Sequence, residues 1–222
     1  MKALFFVRVG LFFFLLQLFS SCSIIFSNRR DVYQNMYDIK QNFTIVKLKS
    51  AERKIERLKK NGKPGEARLV EAEIKSENQE IIEAVNKHYT FSKYYFILGQ
   101  DYHHLVERDY DGLTLYDSEL NPIAGSIAKD VEFSVLSFEG VYSDVHIEII
   151  NGQRMPKGGN DWYAGIAMWD KDLIQYKKPF PQLGLPPFRY SQNSTASLTK
   201  QYNSQLTVWN QTHSGRIQRF AK

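Results

Sequence analysis

Two adjacent histidines among carboxylates, Asp101-Tyr102-His103-His104 with Glu107 just beyond, are the first place in this 222-residue chain to look for chemistry. Imidazoles and carboxylates of this kind can ligate a metal or move a proton. Neighbours in sequence, however, point to opposite faces of a strand, or about 100° apart on a helix. The five histidines (His88, His103, His104, His146 and His213) include no His-x-x-x-His or His-Glu-x-x-His spacing. No Gly-x-Ser-x-Gly nucleophile elbow occurs either. The reading is no metal site, no cofactor and no linear catalytic motif.

Two stretches offer surfaces for contact. Asn151–Asp161 combines Arg154 and Lys157 with three glycines and is followed by Trp162. Amides freed by glycine can hold an anion beside a base, but the phosphate-loop pattern is missing, so this reads as a long hairpin loop. The run Ala51–Lys60 is so charged that only a narrow seam can be buried, and its end, Lys59-Lys60, is expected to be exposed. A weak internal echo relates Leu113–Leu120 to Ile166–Leu173. Each is a strand ending in an aromatic, then Asp-x-acid-Leu. Neither copy has the ligands or glycine of a calcium loop. The reading is a turn opened by Asp, whose side chain bonds the backbone two residues on.

The elements that would position these groups follow from periodicity. Arg29–Lys60 lacks Pro and Gly, and Ile45, Leu48, Ile55 and Leu58 recur at helical spacings. Gly62 suits a left-handed helix terminus and Pro64 the first turn of the next helix. Ala67, Val70, Ile74, Ile81 and Ala84 carry that second helix to about Lys87. Residues 29–88 therefore predict an antiparallel helical hairpin. Beyond it, strand patterns at Tyr89–Leu98, Leu113–Tyr116, Val131–Phe138, Val145–Ile150 and Tyr163–Trp169 are separated by turn residues. Strands with no helices between them predict an antiparallel sheet. A Pro-rich strap (Lys177–Phe188) and a helix capped near Ser194-Thr195 complete a domain over 89–222. The expected class is α+β: N-terminal hairpin, antiparallel β-sheet domain, C-terminal helix.

The N-terminus opens Met1-Lys2, carries Arg8, runs apolar from Leu11 to Phe19 and closes on Ser20-Ser21-Cys22, the only cysteine. Base, short apolar core and small residues before a cut site are the parts of an export signal. With a cysteine directly after them, the segment resembles a bacterial lipoprotein signal, over residues 1–22 only. The resemblance implies that peptide 1–21 is removed and that Cys22 takes a diacylglycerol and an acyl chain such as palmitate. It also excludes Cys22 as a nucleophile. Residues 22–28 then form a tether to the membrane. Ser23, where an inner-membrane retention signal of the familiar type has Asp, implies the outer membrane. The apolar run is short for a spanning helix, and Arg8 would lie inside it.

The chain has 29 bases and 24 acids, a formal +5. Without Lys2 and Arg8 the balance is 27 bases against 24 acids, with signs interspersed, so nucleic acid is not an expected partner. A single cysteine leaves stability to apolar burial. The composite expectation is a lipid-anchored, non-enzymatic cell-envelope protein, contacting an envelope partner through Lys59, Lys60, Arg154, Lys157 and Trp162. The alternative is an envelope hydrolase or small-ligand-binding lipoprotein whose site assembles only in three dimensions, from residues such as Asp101, His103, His104 and Arg154.

Overall fold

A computed structural model of the chain describes residues 32–142, 145–150, 153–158, 162–185 and 192–221. The signal segment, Cys22 and the tether lie outside these residues. In chain order the elements are α1 (32–41), β1 (Phe43–Lys47), α2 (Glu52–Lys60), α3 (Pro64–His88), β2 (Lys93–Ile97), α4 (Tyr102–Glu107), β3 (Thr114–Tyr116) and β4 (Pro122–Ala124). There follow β5 (Phe133–Ser137), β6 (Val141–Tyr142), β7 (Val145–Ile150), β8 (Gln153–Gly158), β9 (Trp162–Trp169), β10 (Leu183–Leu185), α5 (Thr195–Thr212) and α6 (Ser214–Ile217).

The expected hairpin and antiparallel sheet are both overturned. In the middle of the stretch expected to be the first helix stands a strand, and it is the central one. Seven strands run in the order β10-β9-β5-β1-β2-β3-β4, with β6 pairing β9 as an eighth. β1 is parallel to both β2 and β5, and the outer pairs are antiparallel, so the sheet is mixed. The physical reason lies in Phe43-Thr44-Ile45-Val46-Lys47. A strand between two parallel neighbours is buried on both faces and reads as a continuous apolar run rather than an alternation. Its β-branched residues suit a pleated surface. Ile45 and Leu48, three apart on a supposed helical stripe, go to opposite faces of the sheet.

Register makes the two faces complementary. Val46 stands between Phe96 and Leu136, and Ile45 between Tyr95 and Val135. The Val46 face packs beneath α1, α3 and α5, with Met36, Ile39, Ile81, Val85, Leu198, Tyr202 and Leu206 all buried. The Ile45 face packs beneath α4 and the turns around β3 and β4, through Leu105, Leu113, Leu115 and Ala128. The hydroxyls buried in the sheet are paired. Thr44 Oγ1 lies 2.9 Å from both the Tyr89 hydroxyl and Ser92 Oγ, and Ser134 Oγ lies 2.8 Å from the Tyr176 hydroxyl. Burial pushes the Tyr89 phenol up to about 12, against hydrogen bonds from Ser92 and Thr44 that lower it.

α2 buries no residue of its own and lies against α3, with Lys59 Nζ 2.7 Å from Glu71 Oε1. Gly62, at φ 70°, ends it, and Pro64 begins α3. α5 starts where Ser194 Oγ accepts from the Ser197 amide at 3.2 Å. The predicted Asn151–Asp161 loop is corrected in part: Gln153–Gly158 is strand β8, paired with β7 in a separate two-stranded ribbon. Residues 151–152 and 159–161 lie outside the described residues.

Candidate functional site

β1 leads through α2 and α3, over one face, to β2 on its one side. The chain then extends the sheet beyond β2 with β3 and β4 and returns along the other face, where Leu105 of α4 and Ala128 are buried, to reach β5 on β1's other side. In open sheets of this kind, ligands sit outside the carboxyl ends of the strands, where the winding reverses direction. Two hollows lie at carboxyl ends of strands, the smaller at the reversal between β1 and β5 and the larger beside it at β1 and β2.

The larger, about 430 Å3, opens between α2, α3 and the ends of β1 and β2. Leu48, Phe96, Leu98, Ile82 and Tyr116 form apolar walls, with Ile55 and Ile74 from the helices. Part of its polar rim is tied up within the protein. Asn78 Oδ1 accepts from the Lys49 amide at 2.8 Å, and Asn78 Nδ2 donates to the Lys49 carbonyl at 3.0 Å. Lys49 Nζ reaches Glu77 Oε2 at 3.1 Å. Gly99 closes one side because nothing larger fits. A Cβ there would stand 2.5 Å from Ser50 Cβ and 2.8 Å from the Leu48 carbonyl oxygen.

The smaller hollow, about 140 Å3, is lined by Lys47, Tyr102, Ser137, Glu139 and Trp169 among others. Lys47 Nζ lies 2.6 Å from Glu139 Oε2 and 4.1 Å from the Tyr102 ring centre. Burial, and secondarily the Glu139 charge, push the Tyr102 phenol up to about 12. At neutral pH this is a protonated phenol beside a closed ion pair.

The histidine pair forms no ligand set. The His103 and His104 rings stack with centroids 4.0 Å apart, but their nitrogens turn to different partners: His103 Nδ1 to the Gln100 carbonyl at 2.8 Å, His104 Nδ1 to Asp109 Oδ2 at 2.8 Å. The Gly112 amide, and then His104, hold the Asp109 carboxyl below its usual range. Asp101 stands at the N-cap of α4 without a side-chain cap bond. Among the described residues no group of three or more His, Cys, Asp or Glu could hold a metal ion. The expected contact residues are also spread out. Lys59 and Lys60 end α2, Arg154 and Lys157 lie on the separate ribbon, and Trp162 begins β9.

The Asp-x-acid-Leu echo proves to be one turn used twice. Asp117 Oδ1 accepts from the Glu119 and Asn121 amides, each at 2.9 Å, and Leu120 has φ 64°. Asp170 Oδ1 accepts from the Asp172 and Ile174 amides at 2.9 and 2.8 Å, and Leu173 has φ 60°. The environments differ. Burial, with Asp172 and Glu132 adding to it, raises Asp170 to about 6 against the pull of the Ile174 and Asp172 amides. The folded chain therefore holds this proton more tightly than the unfolded chain does, and stability falls as pH rises from about 4 to about 6. Asp170→Asn keeps the Oδ1 acceptor and removes the charge. Two full pKa units would give about 3 kcal/mol, and partial access to water reduces this to an expected gain of about 1–2 kcal/mol at neutral pH. Little gain should remain near pH 4. Thermal unfolding at the two pH values checks it, and equal effects at both would sink it.

The cleft residues Lys49, Asn78 and Gly99 carry no linear motif. The usable signal was a strand–helix–strand unit, Phe43–Lys47 to Lys93–Ile97, which fixes the carboxyl ends where such a cleft opens. Comparison of the chain with protein-family models, with curated proteins and with solved structures finds no match. Among the described residues no helix is long and apolar enough to cross a membrane.

Proposed function

We propose that this chain is a lipid-anchored protein of the bacterial cell envelope, held in the outer membrane through Cys22, and that it acts by binding rather than by catalysis. The binding site is the cleft between α3 and the carboxyl ends of β1 and β2, and its ligand is an elongated apolar chain. One observation carries this reading: an apolar hollow of about 430 Å3 lies at the carboxyl ends of β1 and β2, a size typical of small-molecule sites. Supporting it, Asn78, Lys49 and Glu77 are engaged with one another. They shape the rim rather than stand ready to accept a proton.

The test uses cis-parinaric acid, whose fluorescence reports an apolar site. The folded chain is expected to bind it, and Ile74→Trp, which fills the cleft from α3, should weaken binding at least about tenfold, the equivalent of ~1.4 kcal/mol. Val208→Trp, outside the cleft, should leave it unchanged. A wild type that does not take up the probe, or an Ile74→Trp protein that takes it up equally well, would overturn the cleft as the site.

A further inference from the structure

The last fifty residues, 173–222, contain no Asp or Glu. They carry seven bases: Lys177, Lys178, Arg189, Lys200, Arg216, Arg219 and Lys222. All 24 acids lie earlier, so residues 22–172, with 20 bases, carry −4 while the C-terminal fifty carry +7. The interspersed signs of the whole chain conceal a molecule with two poles.

The fold lays two parts of this acid-free segment together, the strap against α5, where the Tyr202 hydroxyl donates to the Pro181 carbonyl. Between them runs an open groove of about 800 Å3, lined by Pro179, Phe180 and Pro181 from the strap and Val208 and Trp209 from α5. Val208 is 56 % exposed. Lys178 lines it, and Lys177, Arg216 and Arg219, close in sequence to its lining residues, are exposed. At one end Trp209 stacks on His213 at 4.3 Å and meets the Tyr33 ring at 5.5 Å. Arg216 donates to the Tyr33 hydroxyl at 2.8 Å. Tyr33 lies in the first turn of α1, where the chain arrives from residue 22. Val32 is ten positions along the chain from Cys22, a reach of at most ~36 Å.

We propose that this face lies on the surface of a bilayer containing anionic lipids, with Val208, Trp209 and Pro179 toward the acyl boundary and Lys178, Arg216 and Arg219 among the headgroups. An apolar strip rimmed by bases, with Trp and Tyr at the boundary, is the composition of an interfacial surface. Bases near an anionic surface are each attracted to it. The occupant is identified by charge and by the point at which the tether enters. The inference rests on the membrane anchoring proposed above for its orientation, not for its chemistry.

The experiment places the full chain with vesicles of phosphatidylcholine alone, or with about one-third phosphatidylglycerol, in which the lipid tails are brominated. The emission lost in Trp209→Phe defines the Trp209 signal. It should be quenched on the anionic vesicles and much less on the neutral ones. Lys178→Glu, Arg216→Glu and Arg219→Glu together should lower partitioning at least about a hundredfold, at roughly fivefold for each charge removed, with the chain still folded by circular dichroism. Equal quenching on both vesicles, no quenching on either, or an unaffected triple variant would overturn the proposal. So would charge-dependent binding of an anionic polysaccharide with no lipid quenching. Mass spectrometry of Cys22 from the native membrane is read separately. A quenched Trp209 with an intact 1–21 peptide sinks the anchor and leaves this face standing, and a lipidated Cys22 with unquenched Trp209 does the reverse.

Discussion

Val46→Asp is expected to prevent the chain from reaching its native state, while the same change at Ile55 is expected to cost less than about 1 kcal/mol. Val46 is fully buried between Phe96 and Leu136 on the central strand, beneath α1, α3 and α5. A carboxylate there has no cation to pair with, and it must either ionise in an apolar core or fold protonated. The cost exceeds about 4 kcal/mol, a large share of the 5–15 kcal/mol that holds a typical domain together. Ile55 is only half-buried, on a helix that buries none of its residues, so an aspartate there reaches water. Urea unfolding followed by circular dichroism, with soluble yield as a second readout, distinguishes the two. A severe Ile55→Asp beside a mild Val46→Asp would mean that Phe43–Lys47 is not the centre of the sheet.

The same pair of residues explains what the sequence could and could not disclose. Ile45, Leu48, Ile55 and Leu58 keep helical spacing across a strand, a turn and a helix, because short apolar repeats do not distinguish the two periods. What decides for a strand is burial on both faces, and that depends on β2 and β5, which lie about 50 and 90 residues downstream in β1's register. Local signals were legible where the physics is local: Gly62 and Pro64 between α2 and α3, Ser194 capping α5, and the aspartate turns at Asp117 and Asp170. α4 was not legible, since six residues give no period. The cleft was invisible for a related reason, because Lys49, Asn78 and Gly99 are joined only by a parallel crossover. The basic face could have been read directly. A charge count over the whole chain averages away a boundary at Asp172 that a running count would show.

Gly165→Ala is expected to release the strap, although Gly184, its partner in register, should tolerate the same methyl group. Gly165 of β9 stands opposite Gly184 of the edge strand β10. A Cβ on Gly165 would run into the Leu183 carbonyl and stand 3.1 Å from the Gly184 Cα, both backbone groups that cannot swing aside. A Cβ on Gly184 would meet Tyr163 Cβ at 3.3 Å and Val141 Cβ at 3.5 Å, the first only a few tenths of an ångström tight and the second an ordinary contact. β10 has only three register pairs, so the simplest accommodation is for it to leave β9. Phe180, packed 4.7 Å from the Tyr176 ring, and Leu183 would then lose their burial. At about 1.5–3 kcal/mol for each of the two large apolar side chains, the loss is roughly 3–6 kcal/mol. For a chain of this size that lowers the melting temperature by about 6–24 °C. Hydrogen exchange at residues 183–185 should rise in Gly165→Ala and stay near wild type in Gly184→Ala. Because the strap forms one wall of the basic groove, Gly165→Ala should also lose the lipid quenching of Trp209 with every base still in place. Equal stability of the two alanine variants would show that β9 and β10 do not approach as closely as their paired glycines allow.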